Sequence, residues 1–310
     1  MKTFELFLNT INTFFIIYLL IYSTYLFISV LVGAIQLYKR EQMAFIKNEL
    51  QHDYYVPVSI LVPAYNEEVT IVDSINSLVD LDYRLYEIII IDDGSKDRTI
   101  ENLIQAFQFV KIDRPIRMSL PCAPLRCVYE AKVKGVSITL ISKENGGKGD
   151  SLNMGINVSK FPYFICIDAD SMLQKDSLEK IVQPVMKEED IVAVGGLIKI
   201  AQGVKIEKGI VKSYHLPSNP IVCMQIVEYD RSFLSSRIFM DLFNGNLIIS
   251  GAFGLFKKDI VIACGGYDSH TLGEDMELVV KLHVFCRNNM IKYKMRYEPN
   301  AICWSQAPES

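Results

Sequence analysis

The sequence lacks the residue patterns of disulfide frameworks, zinc sites and nucleic-acid surfaces. Its seven cysteines are scattered, with no Cys-x-x-Cys pair and no zinc-ligand spacing, and its four histidines are equally dispersed. An odd, scattered set of cysteines is typical of proteins in a reducing compartment. The net charge of −4 provides none of the basic excess that nucleic-acid-binding proteins carry. These absences argue against a disulfide-rich secreted domain, a histidine-based metal site and a nucleic-acid partner.

A segment near the N-terminus contains no charged side chain. Residues 11–38 are dominated by Ile, Leu, Phe, Tyr and Val, and about 20 apolar residues suffice to cross a bilayer. We therefore predict one transmembrane helix within residues 1–40. Lys39 and Arg40 follow at once, and under the positive-inside rule they place the rest of the chain in the cytoplasm, at the plasma membrane. A cleaved signal peptide would have an apolar core of only about 7–15 residues.

The rest of the chain alternates between strand and helix patterns. Residues 41–55 are charged and predict a juxtamembrane linker, and residues 56–310 predict one globular domain, with a nucleotide-binding half (56–170) and an acceptor-side half (171–310). Near-continuous apolar strands alternating with amphipathic helices predict an α/β fold with a mostly parallel sheet. We expect Asn66 to cap the first helix of this domain.

Three stretches interrupt this alternation. Residues 111–135 contain three prolines and predict a surface excursion that can include a short hairpin. Residues 203–220 predict a loop. Residues 221–241 mix apolar and charged side chains, which predicts a helix lying against the membrane or the core.

Acidic residues follow a buried strand at residues 163–167. Asp168 and Asp170 come directly after it, separated by one alanine. Two carboxylates at a strand end are typical of a site for a hard divalent cation, although an Asp-rich turn has the same sequence. Pro63–Glu67 and Asp92–Asp93 end two other predicted strands. Ligands of parallel sheets bind beyond the carboxyl ends of the strands, which favours a functional site.

Glycine-rich stretches occur at three further places. Residues 143–153 place glycines and Lys148 before a helix, as in phosphate cradles, but do not fit the Walker A pattern. The small-residue turn at 250–254 would let backbone approach a ligand closely. Gly273 precedes Glu274 and Asp275, which open an apolar helix.

Five of these motifs, in this order, resemble family 2 glycosyltransferases. More narrowly, the chain resembles the membrane-embedded β-glycan synthases that make hyaluronan, cellulose, chitin and poly-N-acetylglucosamine. The motifs are Val62–Glu67, Asp92–Ser95, Asn145–Lys148, Asp168–Asp170 and Gly273–Asp275. The resemblance covers residues 56–304 and implies a GT-A-type fold, a mixed, mostly parallel sheet flanked by helices. It also implies inverting, metal-dependent transfer from a UDP-sugar, UDP-N-acetylglucosamine or UDP-glucose, to a growing β-glycan.

The resemblance assigns roles to individual residues. Asp275 would be the general base, with Glu274 as the alternative. Mg²⁺ or Mn²⁺ would be held by Asp170 and Asp168. Ser250 and Gly251 would lie near the acceptor sugar. The donor would be bound by Ala64, Tyr65, Glu67, Asp92, Asp93, Lys148, Asn153 and Asp168.

Several of these assignments have a structural alternative. Glu67 could cap a helix, and Asp92 and Asp93 could form an Asx turn with Ser95 capping the next helix. Lys148 could be a solvated surface lysine. Glu274 and Asp275 could simply be an acidic first helical turn.

The sequence departs from the processive synthases at its end. Those enzymes carry a Gln-x-x-Arg-Trp motif after the final strand and then further transmembrane helices. Here Trp304 occupies a strand end, no Arg-Trp follows Gln306, and the sequence stops at Ser310. We therefore expect the natural protein to be longer. Two other functions stay open: transfer of a single sugar to a lipid such as polyprenyl phosphate or diacylglycerol, and non-catalytic binding of a nucleotide sugar at the membrane.

Overall fold

The computed structural model describes residues 2–47, 55–207, 209–269, 271 and 273–306. The helices in this part of the chain are α1 Lys2–Lys47, α2 Ile71–Val79, α3 Thr99–Phe107, α4 Lys148–Val158, α5 Ser177–Lys187, α6 Pro220–Arg231, α7 Arg237–Asp241, α8 Lys258–Ala263 and α9 Glu274–Asn288. A π-helical turn, Ser232–Ser236, joins α6 to α7. The first part of the predicted linker at 41–55 is a continuation of α1, and residues 48–54 lie outside the described residues.

A ten-stranded sheet forms the centre of the domain, in the order β3-β4-β5-β2-β1-β6-β11-β8-β12-β7, with β9 and β10 as a separate hairpin. The strands are β1 Val58–Ala64, β2 Tyr86–Asp92, β3 Val110–Ile112, β4 Leu125–Val133, β5 Val136–Lys143, β6 Tyr163–Cys166, β7 Met172–Leu173, β8 Ile191–Ile200, β9 Val204–Glu207, β10 Ile210–Tyr214, β11 Gly254–Lys257 and β12 Lys294–Ser305.

The centre of the sheet is parallel. Strands β5, β2, β1 and β6 pair in parallel, and so do β8 and β12. Strand β11 is antiparallel to both of its neighbours, β6 and β8. Its start therefore lies at the same edge of the sheet as the end of β6. The predicted mixed, mostly parallel sheet is confirmed.

The central strands are apolar because both faces of the sheet are covered. In β1, Ile60 and Val62 pack into the core on one face, and Leu61 packs into the core on the other. Side chains of α2, α3 and α5 line the first core, and side chains of α4, α8 and α9 line the second. Period-two alternation of strand side chains between two apolar layers explains why these strands show no polar face.

Helix α1 carries its apolar side chains on the outside. Its segment Phe4–Lys39 is long and apolar enough to cross a membrane, and only 6% of its most apolar window is buried. The exception is one stripe that packs on the 232–241 segment. Ser29 Oγ lies 2.9 Å from Ser235 Oγ, and the ring of Tyr25 contacts that of Phe239. A Cβ on Gly33 would lie 2.7 Å from the carbonyl oxygen of Leu234, so only glycine fits there.

Residues 221–241 are helical and lie where the sequence predicted. They pack on α1 on one side and on β8 and β12 on the other. Ile221, Met224 and Val227 face outward and are exposed. This segment therefore connects the apolar N-terminal helix to the ten-stranded sheet.

Several local predictions are wrong. Asn66 does not cap α2, which begins at Ile71 after Thr70. Asn66 instead has φ of 57° and accepts a hydrogen bond from the Lys96 amide. Ser95 does not cap α3, whose N-terminus is preceded by Arg98. A local side-chain pattern cannot distinguish a helix cap from a loop-to-loop hydrogen bond between distant residues.

Two stretches contain more strand than expected. Residues 203–220, predicted as a loop, include the β9–β10 hairpin, in which Gly203 and Gly209 have positive φ. Residues 111–135 include most of β3 and β4, and β4 pairs with β5 through a turn at Lys134 and Gly135. Glycines read as loop signals are here the turn residues of hairpins.

Candidate active site

The loops after β1 and β2 are bound together at the carboxyl edge of the sheet. Ala64 pairs with Asp92, and the Asp93 amide donates to the Ala64 carbonyl at 2.9 Å. The Glu67 amide donates to Thr99 Oγ1, and Glu67 Oε2 accepts from Thr70 Oγ1 at 2.7 Å. Tyr65 is exposed beside them. The structure thus brings together the residues predicted to form the nucleoside pocket.

Asp92 is fully buried at the end of β2. Its carboxylate accepts hydrogen bonds from the amides of Gly94 and Ser95, each at 3.3 Å. Burial raises the pKa of Asp92 above its ordinary value, and those hydrogen bonds oppose the rise. The Asx-turn alternative is therefore present, and the carboxylate keeps acceptor capacity because its two oxygens have about four lone-pair sites.

Asp93 belongs to a buried ionic network that the sequence did not reveal. The Lys143 side chain has no exposed surface; its Nζ contacts Asp93 and lies 2.7 Å from Asp150 Oδ1. Asp93 also accepts from the amides of Gly146 and Gly147 at 3.0 and 2.8 Å. Asp150 accepts from the Ala123 amide at 2.9 Å. One buried cation therefore holds the ends of β2 and β5 and the start of α4.

This network changes the meaning of the glycine-rich helix entry. Gly147 has φ of 89° and precedes α4, as expected of a tight strand-to-helix turn. The Gly146 and Gly147 amides, however, point at Asp93, so they do not form the open phosphate cradle that the motif predicted. The cation that remains available to a phosphate is Lys148.

Lys148 pairs with Asp168 at the end of β6. Their Nζ–Oδ1 distance is 2.5 Å, and the side chains are 38% and 32% exposed. Burial alone would lower the pKa of Lys148, but the charge and hydrogen bond of Asp168 raise it above its ordinary value. Lys148 therefore stays protonated and is not an isolated surface lysine.

Asp275 lies in the first turn of α9 beside the small-residue turn before β11. One of its oxygens accepts from the Gly251 amide at 3.1 Å, and the other accepts from the Met276 amide at 3.1 Å. A Cβ on Gly251 would be 3.6 Å from Lys148 Nζ and 3.7 Å from Asp275 Oδ2. The carboxylate and the ammonium group therefore both lie close to the same backbone position.

A pocket of about 410 Å³ opens at this point. Five residues predicted as site residues line it, namely Lys148, Asp168, Ser250, Gly251 and Asp275. Tyr229, Phe233 and Arg237 line it as well. None of these three was predicted as a site residue. The sequence feature that could have indicated them was the mixed apolar and charged composition of residues 221–241. The other predicted site residues do not line this pocket.

Two predicted site residues have contacts of their own. Asn153 is buried. Its side-chain Nδ2 donates to the backbone carbonyl of Tyr267, and its Oδ1 accepts from the backbone amide of Tyr267, each at 2.9 Å. Its observed contacts are thus structural, and donor binding by Asn153 stays a prediction. Glu274 is the first residue of α9, next to Asp275.

Asp168 and Asp170 fit a divalent cation that is shared with a substrate. Asp170 is exposed, and no group in the described part of the chain pairs with its carboxylate. The described residues contain no cluster of three or more His, Cys, Asp or Glu side chains that could enclose a metal. Mg²⁺ is commonly bound by one or two carboxylates together with substrate phosphates, so two aspartates are a sufficient protein contribution.

Family models match most of the chain. Residues 59–119 match "Glycosyl transferase family 2", and residues 125–310 match "Glycosyltransferase like family 2". The second match alone covers more than half of the sequence. The chain belongs to glycosyltransferase family 2.

Curated relatives of this family 2 glycosyltransferase include bacterial polysaccharide synthases. It is 27% identical over 296 residues to poly-β-1,6-N-acetyl-D-glucosamine synthase of Staphylococcus aureus, and 28% identical over 297 residues to the protein of that name from Staphylococcus epidermidis. Each match covers 94% of this chain and 61% of the relative. The chain therefore spans about three fifths of the length of these relatives.

Solved structures confirm the GT-A-type fold of this family 2 glycosyltransferase. A mannosyltransferase from Pyrobaculum calidifontis, in complex with GDP-mannose and Mn²⁺, matches with a TM-score of 0.55 at 17% identity, over 92% of this chain and 69% of that one. S. aureus TarS (residues 1–349) in complex with UDP-GlcNAc matches with a TM-score of 0.51 at 15% identity, over 82% and 60%. These identities are low, so the likeness concerns the fold.

Proposed function

We propose that this chain is the catalytic part of a membrane-anchored, inverting glycosyltransferase that moves a sugar from a UDP-sugar to a growing β-glycan. The observation that carries the proposal is the convergence of Lys148, Asp168, Gly251 and Asp275 at one pocket on the carboxyl edge of the sheet. A cation and a carboxylate able to hold a metal can stabilise a departing diphosphate, and a second carboxylate can take the proton of the acceptor hydroxyl.

UDP-N-acetylglucosamine is the donor that the comparisons support best. The curated relatives are named as N-acetylglucosamine polymer synthases, and TarS was solved with UDP-GlcNAc. The fold alone does not select the nucleotide base of the donor, because the P. calidifontis neighbour binds GDP-mannose. Uridine recognition is therefore assigned to the loop residues Ala64, Tyr65 and Glu67 together with Asp92, which lie next to one another in this chain.

Asp168 and Asp170 would hold Mg²⁺ or Mn²⁺. The cation would supply electrostatic stabilisation of the diphosphate as the glycosidic bond breaks. Support comes from the exposed, unpaired Asp170 carboxylate and from the Mn²⁺ in the mannosyltransferase neighbour. Engagement of Asp168 by a cation would release Lys148 from its ion pair, and the ammonium group would then be available to a phosphate oxygen.

Asp275 is assigned as the general base. Each of its oxygens accepts one backbone hydrogen bond, which fixes the carboxylate and leaves further lone pairs free. Such a group can take the proton of an acceptor hydroxyl as that hydroxyl attacks the anomeric carbon. A single direct displacement inverts the α-linked donor to a β-linked product. Ser250 and Gly251 border the same pocket, on the acceptor side of the reaction.

The apolar helix α1 would anchor the enzyme in the plasma membrane. Its apolar side chains are exposed, and Lys39 follows the apolar stretch, which supports a cytoplasmic domain under the positive-inside rule. UDP-sugars would then reach the pocket from the cytoplasm.

The metal assignment predicts a specific loss in Asp170→Asn. Calorimetric titration of the detergent-solubilised chain with UDP should show binding that requires Mg²⁺ or Mn²⁺. The variant should weaken that binding at least roughly tenfold, because a charged contact is worth about 1.5–3 kcal/mol. Asp82→Asn is the matched control, since Asp82 is an exposed carboxylate in the loop before β2, at the opposite edge of the sheet. Unaltered metal-dependent binding in Asp170→Asn would rule the assignment out.

Product analysis then distinguishes the candidate reactions. A polymer made from UDP-N-acetylglucosamine supports β-glycan synthesis. A single sugar on polyprenyl phosphate or diacylglycerol would show lipid glycosylation instead. Binding without any turnover in the full-length protein would show a nucleotide-sugar sensor.

A further inference from the structure

One wall of the pocket comes from the end of α6, the π-helical turn after it and the start of α7, and has no role in the chemistry described above. We define this aromatic wall as Tyr229, Phe233 and Arg237. The rings of Tyr229 and Phe233 stack with centroids 5.8 Å apart, and the Arg237 guanidinium lies 3.8 Å from the centre of the Phe233 ring. Phe233 lies in the π-helical turn Ser232–Ser236, and such turns are frequent at functional sites.

Arg237 has an unused donor in this wall. Its Nη1 is buried and has no hydrogen-bond partner in the described part of the chain. A buried donor without a partner costs about 1–3 kcal/mol, and more when the group is charged. Burial lowers the pKa of Arg237, and the nearby Tyr297 and Asp275 oppose this. Such a group is stabilised when a ligand oxygen accepts its hydrogen.

The other charged side chains that line the pocket already have partners. Lys148 pairs with Asp168, and Glu228 pairs with Arg231 at 2.5 Å. Asp275 accepts two backbone hydrogen bonds. Arg237 is therefore the cation lining the pocket that forms no ion pair within the described residues, and its Nη1 is left for a ligand.

Tyr229 offers the second element of a binding surface. It is 40% exposed and lines the pocket, while the rest of the wall is largely buried. A rigid aromatic face next to a polar donor suits a ligand that is apolar on its ring faces and polar at its edges. A pyranose ring has this character.

The position of the wall indicates which substrate it would meet. Lys148 and Asp168, from α4 and the end of β6, are assigned to the diphosphate. The acceptor hydroxyl must contact Asp275, which lines the same pocket as the wall and whose charge acts on Arg237. The charged side chains that line the pocket are two cations and three carboxylates, so there is no positive excess that would favour an anionic acceptor over a neutral sugar.

We propose that Tyr229 and Arg237 form the subsite for the terminal sugar of the acceptor, a neutral β-linked N-acetylhexosamine. Tyr229 stacks on the sugar ring, and Arg237 Nη1 donates to a hydroxyl or N-acetyl carbonyl oxygen. The subsite orients the attacking hydroxyl toward Asp275. This inference rests on the proposed function, because it needs Asp275 as the base.

Calorimetric titration of the detergent-solubilised chain tests the subsite with two probes, UDP plus Mg²⁺ and a short β-linked N-acetylglucosamine oligosaccharide. Arg237→Gln should weaken oligosaccharide binding roughly tenfold or more, as expected for the loss of a charged donor. Its affinity for UDP should stay unchanged, which also shows that the variant is folded. Tyr229→Ala should behave in the same way, and Arg237→Lys should recover part of the oligosaccharide affinity.

Arg231→Gln is the matched control, because Arg231 lies in the same segment but pairs with Glu228 and does not line the pocket. It should bind both probes like the wild type. Loss of UDP affinity in Arg237→Gln with normal oligosaccharide binding would overturn the inference and assign Arg237 to the diphosphate. Loss of binding to micelles that contain polyprenyl phosphate, with no effect on the oligosaccharide, would also overturn it.

The outcome for the wild type separates this inference from the proposed function. A wild-type chain that binds UDP but not the oligosaccharide contradicts the subsite and leaves the donor site standing. A wild-type chain that binds the oligosaccharide through Tyr229 and Arg237 but does not bind UDP supports the subsite and contradicts the proposed donor chemistry.

Discussion

At the scale of single residues, Lys143 illustrates how one buried charge can position a site without touching a substrate. It lies under the turn that leads to Lys148 and contacts Asp93 and Asp150. Removing one partner of a buried ion pair leaves the other charge uncompensated, which is strongly destabilising. Asp93 therefore holds Lys143 and the Gly146–Gly147 turn in this structure, and donor binding by Asp93 stays a prediction.

The base assignment makes a prediction at the same scale. Asp275→Asn keeps the two backbone hydrogen-bond acceptors only in part and removes the ability to take a proton. We expect turnover of UDP-N-acetylglucosamine to fall about 10²–10⁴-fold, while UDP affinity stays roughly unchanged. Steady-state kinetics and UDP titration measure the two effects. Glu274→Gln serves as the control, and a larger loss there than in Asp275→Asn would transfer the role to Glu274.

At the scale of elements, the sheet edge is built by pairing strands that are far apart in sequence. Strand β12 is inserted beside β8, and its first residues are held by the end of α5. Glu188 accepts hydrogen bonds from Arg296 at 2.9 and 3.1 Å and from Lys294 at 2.5 Å. The hydrogen bonds from Arg296 are the main cause that lowers the pKa of Glu188 to about 2.

This ion pair predicts a pH-dependent contribution to stability. The pKa of Glu188 is lower in the folded protein than its ordinary 4.5, so its stabilisation is present above about pH 4.5 and is lost as the pH falls toward 2. Glu188→Gln should reduce the free energy of unfolding by about 1–2 kcal/mol at pH 7, a value discounted for partial exposure.

Thermal unfolding of the two proteins between pH 7 and pH 3 measures this effect. The difference in melting temperature should be largest at pH 7 and should shrink below pH 4.5. Glu189→Gln removes an exposed charge at the adjacent position and should show no comparable difference. A pH-independent difference for Glu188→Gln would contradict the ionic origin.

At the scale of the whole molecule, the domain is joined to α1 through the 232–241 segment. The same segment supplies Phe233 and Arg237 of the aromatic wall, so the apolar N-terminal helix and the pocket share one structural element. Ser29, Gly33 and Tyr25 fix this contact. The aromatic wall therefore lies next to the part of the protein that we propose meets the membrane.

The membrane assignment predicts how the intact chain partitions. It should sediment with membranes and require detergent for extraction. A Leu19→Lys, Leu20→Lys double variant should lose this behaviour, because each central lysine costs about 2.5–3.5 kcal/mol in a membrane helix. Both positions are exposed and lie outside the stripe that contacts residues 232–241. A wild-type chain that stays in the supernatant without detergent would refute the assignment.

Much of the fold followed from patterns that are local in the sequence. Apolar runs such as residues 58–62 and 87–91 gave the parallel strands, and the uncharged stretch gave α1. The wrong predictions, the Asn66 cap and the loop at 203–220, rested on local patterns, whereas the conformation there depends on contacts with other parts of the chain. The site motifs ended on the correct strands, but their hydrogen-bond partners could not be inferred from spacing.

The sequence by itself determined the strand and helix order, the apolar N-terminal helix and the family to which the motifs belong, because periodicity and strand-end chemistry are written in neighbouring residues. Only the tertiary structure decided that Asp93 contacts Lys143, that Lys148 and Asp275 both lie beside Gly251, and that Tyr229 and Arg237 border the same pocket. Those contacts join elements that are distant in the chain, and they depend on sheet order and packing.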